Sequence, residues 1–177
     1  MQQTPKNAIA FLLSQVGARS AQEFARLLEP LKLSPADAGI LRLLRQSPGI
    51  SQQQLAQTLG MHASRLVAFI DTLESRKLVA RAPNPEDRRL YSLRLTPRGT
   101  ETLAQIGNIA RTHNELMGSG LKSSEVEQLA ALLQKIAATQ GLTPKVHPGY
   151  RDLSKNQKSV LKPAGIRKTN KPRKSQP

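Results

Sequence analysis

The sequence predicts a mainly α-helical fold with one small β-hairpin, and three observations predict this class. Hydrophobic residues make up 38% of the 177 residues but aromatic residues only 3%, so a core must be built from Leu, Ile, Val and Ala. Such a core suits packed helices, because sheets favour aromatic and β-branched side chains. Apolar residues recur at helical spacing along most of the chain, and one short stretch alternates instead.

The first part of the chain predicts two helices. Residues 7–29 form the first, with an apolar stripe on one side. The second begins at Ser34-Pro35-Ala36-Asp37, where Ser34 is the N-cap, Pro35 takes the first helical position and Asp37 completes a capping box. Pro48-Gly49 ends this helix.

The next stretch predicts a pair of helices joined by a tight turn. Ser51 and Gln54 form another capping box, which begins a short helix that Gly60 closes. Residues 62–77 predict a further helix, with apolar side chains on one stripe: Leu66, Phe69, Ile70 and Leu73. We interpret this arrangement as a helix-turn-helix, whose second helix suits the major groove of DNA.

After this pair the period changes to alternation. Residues 78–82 and 89–95 predict two strands, with Tyr91, Leu93 and Leu95 on one face of the second. The segment between them has turn chemistry and carries charge, so we expect a β-hairpin. A hairpin in this position completes a winged helix-turn-helix.

Two further helices follow the hairpin. Thr96-Pro97 caps one that runs to about Met117, and residues 124–139 predict the last. From residue 143 onward the chain is rich in Pro and Lys and has no sustained period, so we expect a basic disordered tail.

The charge balance indicates a polyanionic partner. The chain has 27 Lys and Arg against 12 Asp and Glu, a net charge of +15. Residues 144–177 hold ten of these bases and one acid. Nucleic acid is the usual partner of such a protein, with an anionic membrane surface as the rival. No apolar stretch reaches the ~18 residues of a membrane span, so we expect no membrane insertion.

Other classes of site find no support in the sequence. With no Cys, disulfides and thiol chemistry are excluded. His62 and His147 lack ligand-spaced companions, and His113 lies on the apolar stripe of its helix, where we expect a core or interface histidine. We therefore expect neither a metal nor another cofactor. No catalytic motif is found, and we do not expect an enzyme.

Several motifs occur in order at consistent spacing: Gln54-Leu-Ala-Gln-Thr-Leu-Gly-Met61, Ser64-Arg-Leu-Val67, Leu73-Glu-Ser-Arg-Lys-Leu-Val79, Asn84-Pro-Glu-Asp-Arg-Arg89 and Leu95-Thr-Pro-Arg-Gly99. Together they resemble the MarR (multiple-antibiotic-resistance regulator) family. The resemblance implies a winged helix-turn-helix at residues 31–96, flanked by dimerisation helices at 1–30 and 97–142. The basic tail at 143–177 is expected from composition alone, because the family pattern ends near Thr143. The resemblance also implies a cytoplasmic, nucleoid-associated regulator of transcription.

The expected activity is sequence-specific binding of double-stranded DNA, as a homodimer on a palindromic operator. The family implies a repressor that responds to a small aromatic or phenolic effector. Two alternatives remain open. The alternative function is that of a non-specific nucleoid-associated or RNA-binding architectural protein, which binds through its basic tail. The alternative to the dimer is a monomer, in which the outer helices pack together as a bundle.

The expected DNA contacts fall into three groups. Ser51, Gln52 and Gln53 lie at a helix N-terminus, where N–H groups and the helix dipole can hold a phosphate. The resemblance places five residues on the groove side of the second helix: His62, Ala63, Ser64, Arg65 and Ala68. Arg65 is the only long cationic donor among them.

The third group is the tip of the hairpin. The family implies that Arg88 enters the minor groove and that Asp87 pairs with a nearby Arg to stiffen the wing. The role of Arg89 is left open between a contact with DNA and the ion pair with Asp87. The alternative is that these three residues form only a solvated turn.

Overall fold

The computed structural model describes residues 8–83, 91–147 and 149–150. Its elements, in chain order, are α1 (Ile9–Leu28), a 3-10 turn (Glu29–Leu31), α2 (Pro35–Gln46), α3 (Gln52–Leu59), α4 (Ala63–Ser75), β1 (Val79–Pro83), β2 (Tyr91–Leu95), α5 (Pro97–Gly118) and α6 (Ser123–Thr139). The predicted class, mainly α with one β-hairpin, is confirmed. We call α2–α4 with the two strands the winged unit.

The helix starts are where local side-chain chemistry predicts them. The Ser34 hydroxyl accepts from the Asp37 N–H, and the Asp37 carboxylate accepts from the Ser34 N–H. Ser51 and Gln54 form the same reciprocal pair at the start of α3. These bonds satisfy N–H groups that a helix otherwise leaves without partners.

The core is almost entirely aliphatic and lies mainly in the winged unit. Its fully buried side chains come from the end of α1 and from every element of the winged unit: Leu28, Ile40, Leu41, Leu44, Leu55, Leu59, Leu66, Ile70, Leu73, Leu78, Val79 and Leu93. This agrees with the composition, in which aromatic side chains are scarce.

The hairpin differs from the predicted alternation at one point. β1 and β2 pair antiparallel, with Val79 opposite Leu95. Ser92 and Leu93 are both buried, whereas Tyr91 is 58% exposed, so these three residues do not alternate as expected. Ser92 tolerates burial because its hydroxyl donates to the Ala82 carbonyl and its backbone bridges to Ser51.

The chain before α3 is tied to the same strand. The Gly49 N–H donates to the Leu93 carbonyl at 3.0 Å, and the Leu93 N–H donates to the Ile50 carbonyl at 2.9 Å. The start of α3 and the hairpin therefore hold a fixed relative position.

The terminal helices leave apolar side chains in solvent. α6 buries no residue, and its exposed apolar side chains are Val126, Leu129, Leu132, Leu133 and Ile136. α1 packs against α5, yet its first half exposes Ile9, Phe11, Leu12, Leu13 and Val16. No helix in the described ranges is long and apolar enough to cross a membrane.

The start of the predicted disordered tail is ordered in the structure. Tyr150 is 5% exposed within the core, and Val146 packs against that core. The sequence offered no periodic signal here, because the contact depends on a single aromatic side chain reaching α2. Residues 151–177, where the rest of the tail prediction falls, lie outside the described residues.

The start of α5 touches the backbone of the winged unit. The Thr96 N–H donates to the Leu78 carbonyl at 3.1 Å, and the Thr96 hydroxyl donates to the Lys77 carbonyl at 2.6 Å. One turn later, a Cβ built on Gly99 would lie 1.9 Å from the Leu78 carbonyl oxygen. Glycine is therefore required at 99 by close approach.

We expect Gly99→Ala to lower the free energy of unfolding by about 1–3 kcal/mol, because the added methyl group must push α5 away from Leu78. Urea unfolding followed by circular dichroism measures this. Gly107→Ala is the matched control in the same helix, since a Cβ there meets no atom within 4 Å. The control should be neutral or stabilising by up to ~1 kcal/mol. Equal effects at the two positions would contradict the close-approach explanation.

Candidate nucleic-acid interface

Helices α3 and α4 are joined by a tight turn. Gly60 has a φ of 63°, a left-handed conformation that glycine adopts without steric cost. The Met61 N–H returns to the Ala56 carbonyl at 2.9 Å, and His62 is the extended N-cap of α4. The turn directs α4 away from α3 and leaves its N-terminal end at the surface.

One side of α4 is buried and the other carries the predicted reading residues. Leu66, Ile70 and Leu73 have no exposed surface. His62, Ala63, Ser64 and Ala68 are exposed, and Arg65 is half-buried. Ser64 and Ala68 are one turn apart, as are Arg65 and Ala68, so these three share a face.

The start of α3 is exposed beyond its cap. Ser51 is only 5% exposed and its hydroxyl accepts from Gln54, so its side chain serves the helix itself. The cap leaves the N–H groups of Gln52 and Gln53 without a partner among the described residues. These two N–H groups, and not the Ser51 hydroxyl, are what this end offers to an anion.

An arginine on β1 joins the hairpin to α4. The Arg81 guanidinium bonds to Asp71 at 2.6 Å and also to Glu74, both on α4. Burial lowers the pKa of Arg81, but the hydrogen bonds and charges of the two carboxylates raise it by more, so the guanidinium stays charged. We call this three-residue cluster the hairpin brace.

A second arginine fixes the C-terminal end of α4. Arg76 donates to the Lys32 carbonyl at 2.6 Å and to the Leu31 carbonyl at 2.7 Å, at the end of the 3-10 turn. Sequence reasoning singled out neither Arg76 nor Arg81. The carbonyls that Arg76 bonds are 44 and 45 residues away in sequence, and the carboxylates that Arg81 bonds are on another element, seven and ten residues before it. The available signal was only that both arginines follow an apolar helix face.

Asp87, Arg88 and Arg89 lie outside the described residues. Their assignment to the wing therefore stays a prediction. The two strands that lead to them are described, and the brace holds the first of these strands against α4.

Within the described part of the chain, the histidine on α5, His113, contacts α1 rather than any group that could share a ligand with it. The His113 Nε2–H donates to the Ser20 carbonyl at 3.1 Å, and its ring lies 5.3 Å from that of Phe24. In the described ranges, no three His, Asp or Glu side chains are grouped to hold a metal ion.

Comparison with known proteins places this architecture. A sequence model described as MarR family matches residues 33–91, the stretch from α2 to the start of β2. A putative transcriptional regulatory protein for the hcr operon of Thauera aromatica is 28% identical over 137 residues, which are 77% of this chain and 82% of that protein.

Two of the solved structures that are similar to this chain contain DNA. The transcriptional repressor CouR bound to a 23-mer DNA duplex is 30% identical, with a TM-score of 0.66 over 77% of this chain and 99% of that chain. The chain belongs to the MarR family. A mutant of MarR from E. coli complexed with operator DNA is 25% identical, with a TM-score of 0.63 over 73% of this chain and 94% of that chain.

Membership confirms the class predicted from the motifs. This MarR-family protein is a DNA-binding transcriptional regulator with a winged helix-turn-helix. Within it, α3 and α4 form the helix-turn-helix and β1 with β2 begins the wing.

We expect Arg81→Gln to loosen the wing of this MarR-family protein against α4. The loss leaves two carboxylates without their cation, so the free energy of unfolding should fall by about 1–2 kcal/mol and DNA affinity should fall with it. Urea unfolding and a binding titration at fixed salt measure the two effects. Arg45→Gln is the control, because it removes the same charge from an exposed position on α2. Equal losses of affinity would mean that only the net charge matters.

Proposed function

We propose that α4 enters the major groove and that its exposed face reads base edges. The observation that carries this is the exposed side of α4, with His62, Ala63, Ser64 and Ala68 in solvent and Arg65 beside them. A helix of this size fits the major groove, where each base pair presents a distinct pattern of donors and acceptors.

Phosphate contacts would set the register of α4 on the duplex. The free N–H groups of Gln52 and Gln53 and the dipole of α3 form an anion-binding end on the same helix-turn-helix. Contacts of this kind orient the protein without reading sequence. Arg88 extends the footprint into the minor groove, with Asp87 supporting the wing and Arg89 shared between the two roles.

We propose a homodimer formed by the terminal helices, residues 1–30 and 97–142. The exposed apolar side chains of α1 and α6 support it, because a soluble monomer rarely leaves so many apolar residues together in water. A twofold dimer presents two α4 helices to successive major grooves, roughly 34–36 Å apart, and so requires a palindromic operator.

The protein then acts in the cytoplasm, at the nucleoid, as a repressor released by a small aromatic or phenolic effector. The proposed role is regulatory rather than catalytic. Residues 151–177 carry nine Lys and Arg and one Asp, and they add phosphate contacts that strengthen binding to any DNA sequence.

Footprinting on the protein's own upstream region tests the proposal, with bulk DNA as competitor. A regulator should prefer its site by about a thousandfold or more and protect two half-sites one helical turn apart. Release by an aromatic acid in the same assay tests the effector. Uniform protection that bulk DNA or RNA removes would support a non-specific architectural protein instead.

We expect Arg65→Ala to weaken operator binding by about 1–3 kcal/mol and to relax the preference at one base position in each half-site. The reason is that Arg65 supplies the long cationic donor on the exposed face of α4. Binding to a library of single-base operator variants measures both effects. Arg45→Gln again controls for charge, since it should lower affinity evenly across the library. An unchanged base preference in Arg65→Ala would show that another residue reads that position.

For the wing, we expect one substitution to change DNA affinity in the direction opposite to that expected from charge alone. Asp87→Ala removes a negative charge near DNA, yet it should weaken binding because the wing loses its stiffening partner. Arg88→Ala should weaken binding most where the minor groove beside the half-site is narrow. Titrations on operators with A·T-rich and G·C-rich flanks measure this. Tighter binding by Asp87→Ala would identify the tip as a solvated turn.

A further inference from the structure

A segment after α6 returns to the winged unit. We call residues 141–147 with 149–150 the strap. It leaves α6 at Gly141, whose φ is 64°, and the Leu142 N–H returns to the Ala137 carbonyl at 3.0 Å. Its side chains Leu142, Val146 and His147 face Thr58 and Leu59 of α3 across a small cavity. The Arg42 guanidinium on α2 donates to the Lys145 carbonyl.

The strap ends in a fitted contact. Tyr150 is 5% exposed, and its hydroxyl donates to the Ala36 carbonyl at 2.8 Å. Burial raises the pKa of the Tyr150 phenol, so the group is a neutral donor at physiological pH. Gly39 makes room for it, since a Cβ on Gly39 would lie 1.8 Å from the Tyr150 hydroxyl oxygen. We call the contact of Tyr150 with Ala36 and Gly39 the latch.

The latch ties the chain that follows α6 to the winged unit. α1 and α5 already pack against that unit, with α5 on α2 and β2 and with Thr96 and Gly99 against Leu78. α6 has no comparable packing among the described residues, so an attachment beyond its far end restricts the pivot of α6 about the turn that joins it to α5. α6 itself buries no side chain, so the strap is the described contact that ties its end down.

We propose that the Tyr150 latch sets the angle between the winged unit and α6, and that it thereby fixes the half-site spacing that the protein accepts. The second part rests on the homodimer proposed above. With the latch closed, the two recognition helices hold one separation. With the latch open, each winged unit adapts to a longer or shorter operator, and the preference for one spacing weakens.

The atoms of the latch allow a test by rescue. The clash of a Cβ at Gly39 is with the Tyr150 hydroxyl oxygen, while the next atom, Cζ, lies at 3.0 Å. Gly39→Ala should therefore open the latch. Adding Tyr150→Phe should let the ring return, because the hydroxyl is gone and the remaining contact at Cζ needs a shift of only a few tenths of an ångström. Tyr150→Phe alone loses only the bond to Ala36. A defect from a damaged α2 would not be relieved by a change at residue 150.

Tyrosine emission reports the latch without DNA. The chain has no Trp and two Tyr, so in a Tyr91→Phe background Tyr150 is the only emitter of this kind. In the Tyr91→Phe protein, acrylamide should quench the emission of Tyr150 only weakly. Once Gly39→Ala is added, acrylamide should quench that emission as strongly as the emission of an exposed tyrosine. Gly107→Ala is the control and should leave quenching weak. Quenching that is equal with and without Gly39→Ala would overturn the latch.

Operator spacing tests the consequence. The probes are the duplex footprinted above and the same duplex with one base pair inserted at its centre, which moves the half-sites by about 3.4 Å and about 35°. We call the ratio of the affinities for the two duplexes the affinity gap. Gly39→Ala should reduce this gap by about tenfold, because it removes roughly one hydrogen bond together with its packing. The double variant Gly39→Ala, Tyr150→Phe should restore most of the gap.

The outcomes separate the two proposals. An unchanged gap in Gly39→Ala, or a double variant no better than Gly39→Ala alone, would overturn the role of the latch in spacing. Failure of the unaltered protein to prefer any site would overturn the proposed function instead, and the quenching experiment would still decide whether Tyr150 is latched.

Discussion

The position of the winged unit depends on a backbone contact at Leu78. That carbonyl accepts from the Thr96 N–H and lies against Gly99, where no side chain fits. Leu78 lies between α4 and β1 and Thr96 follows β2, so the contact closes the hairpin at its base and sets the direction of α5. The end of α4, the hairpin and α5 therefore meet at Leu78, and a shift there would move all three.

Two arginines extend this rigidity along α4. Arg76 donates to two carbonyls at the end of the 3-10 turn, and Arg81 bridges two carboxylates on α4. Each guanidinium bonds two acceptors, a geometry that lysine cannot reproduce. Both are basic residues in a basic protein, yet their donors are occupied inside the structure. Net charge therefore overstates the number of cations that α4 and its hairpin offer to DNA.

The sequence predicted what local chemistry determines. The capping boxes at Ser34 and Ser51 and the glycine turn at Gly60 were confirmed because each depends on residues within a few positions. Burial of Ser92 and Tyr150 could not be predicted in the same way, since each depends on a partner brought near by the fold. In the candidate site, the resemblance placed five residues of α4 on the groove side, of which four are exposed and Arg65 is half-buried. It could not show that the Ser51 hydroxyl is committed to its cap.

The exposed face of α4 offers few hydrogen-bonding side chains, and this bears on how the protein would recognise an operator. Ala63 and Ala68 are exposed on the face of α4 that is proposed to read bases, and a methyl group can contact only a thymine methyl. On that proposal few bidentate contacts remain, each worth about 1–3 kcal/mol of discrimination. Specificity would then come largely from geometry, through the shape of the duplex under the wing and the distance between half-sites. Geometry discriminates only if the reading elements are held rigidly. On the proposals made above, the Leu78 junction, the hairpin brace and the latch supply that rigidity through contacts within the protein.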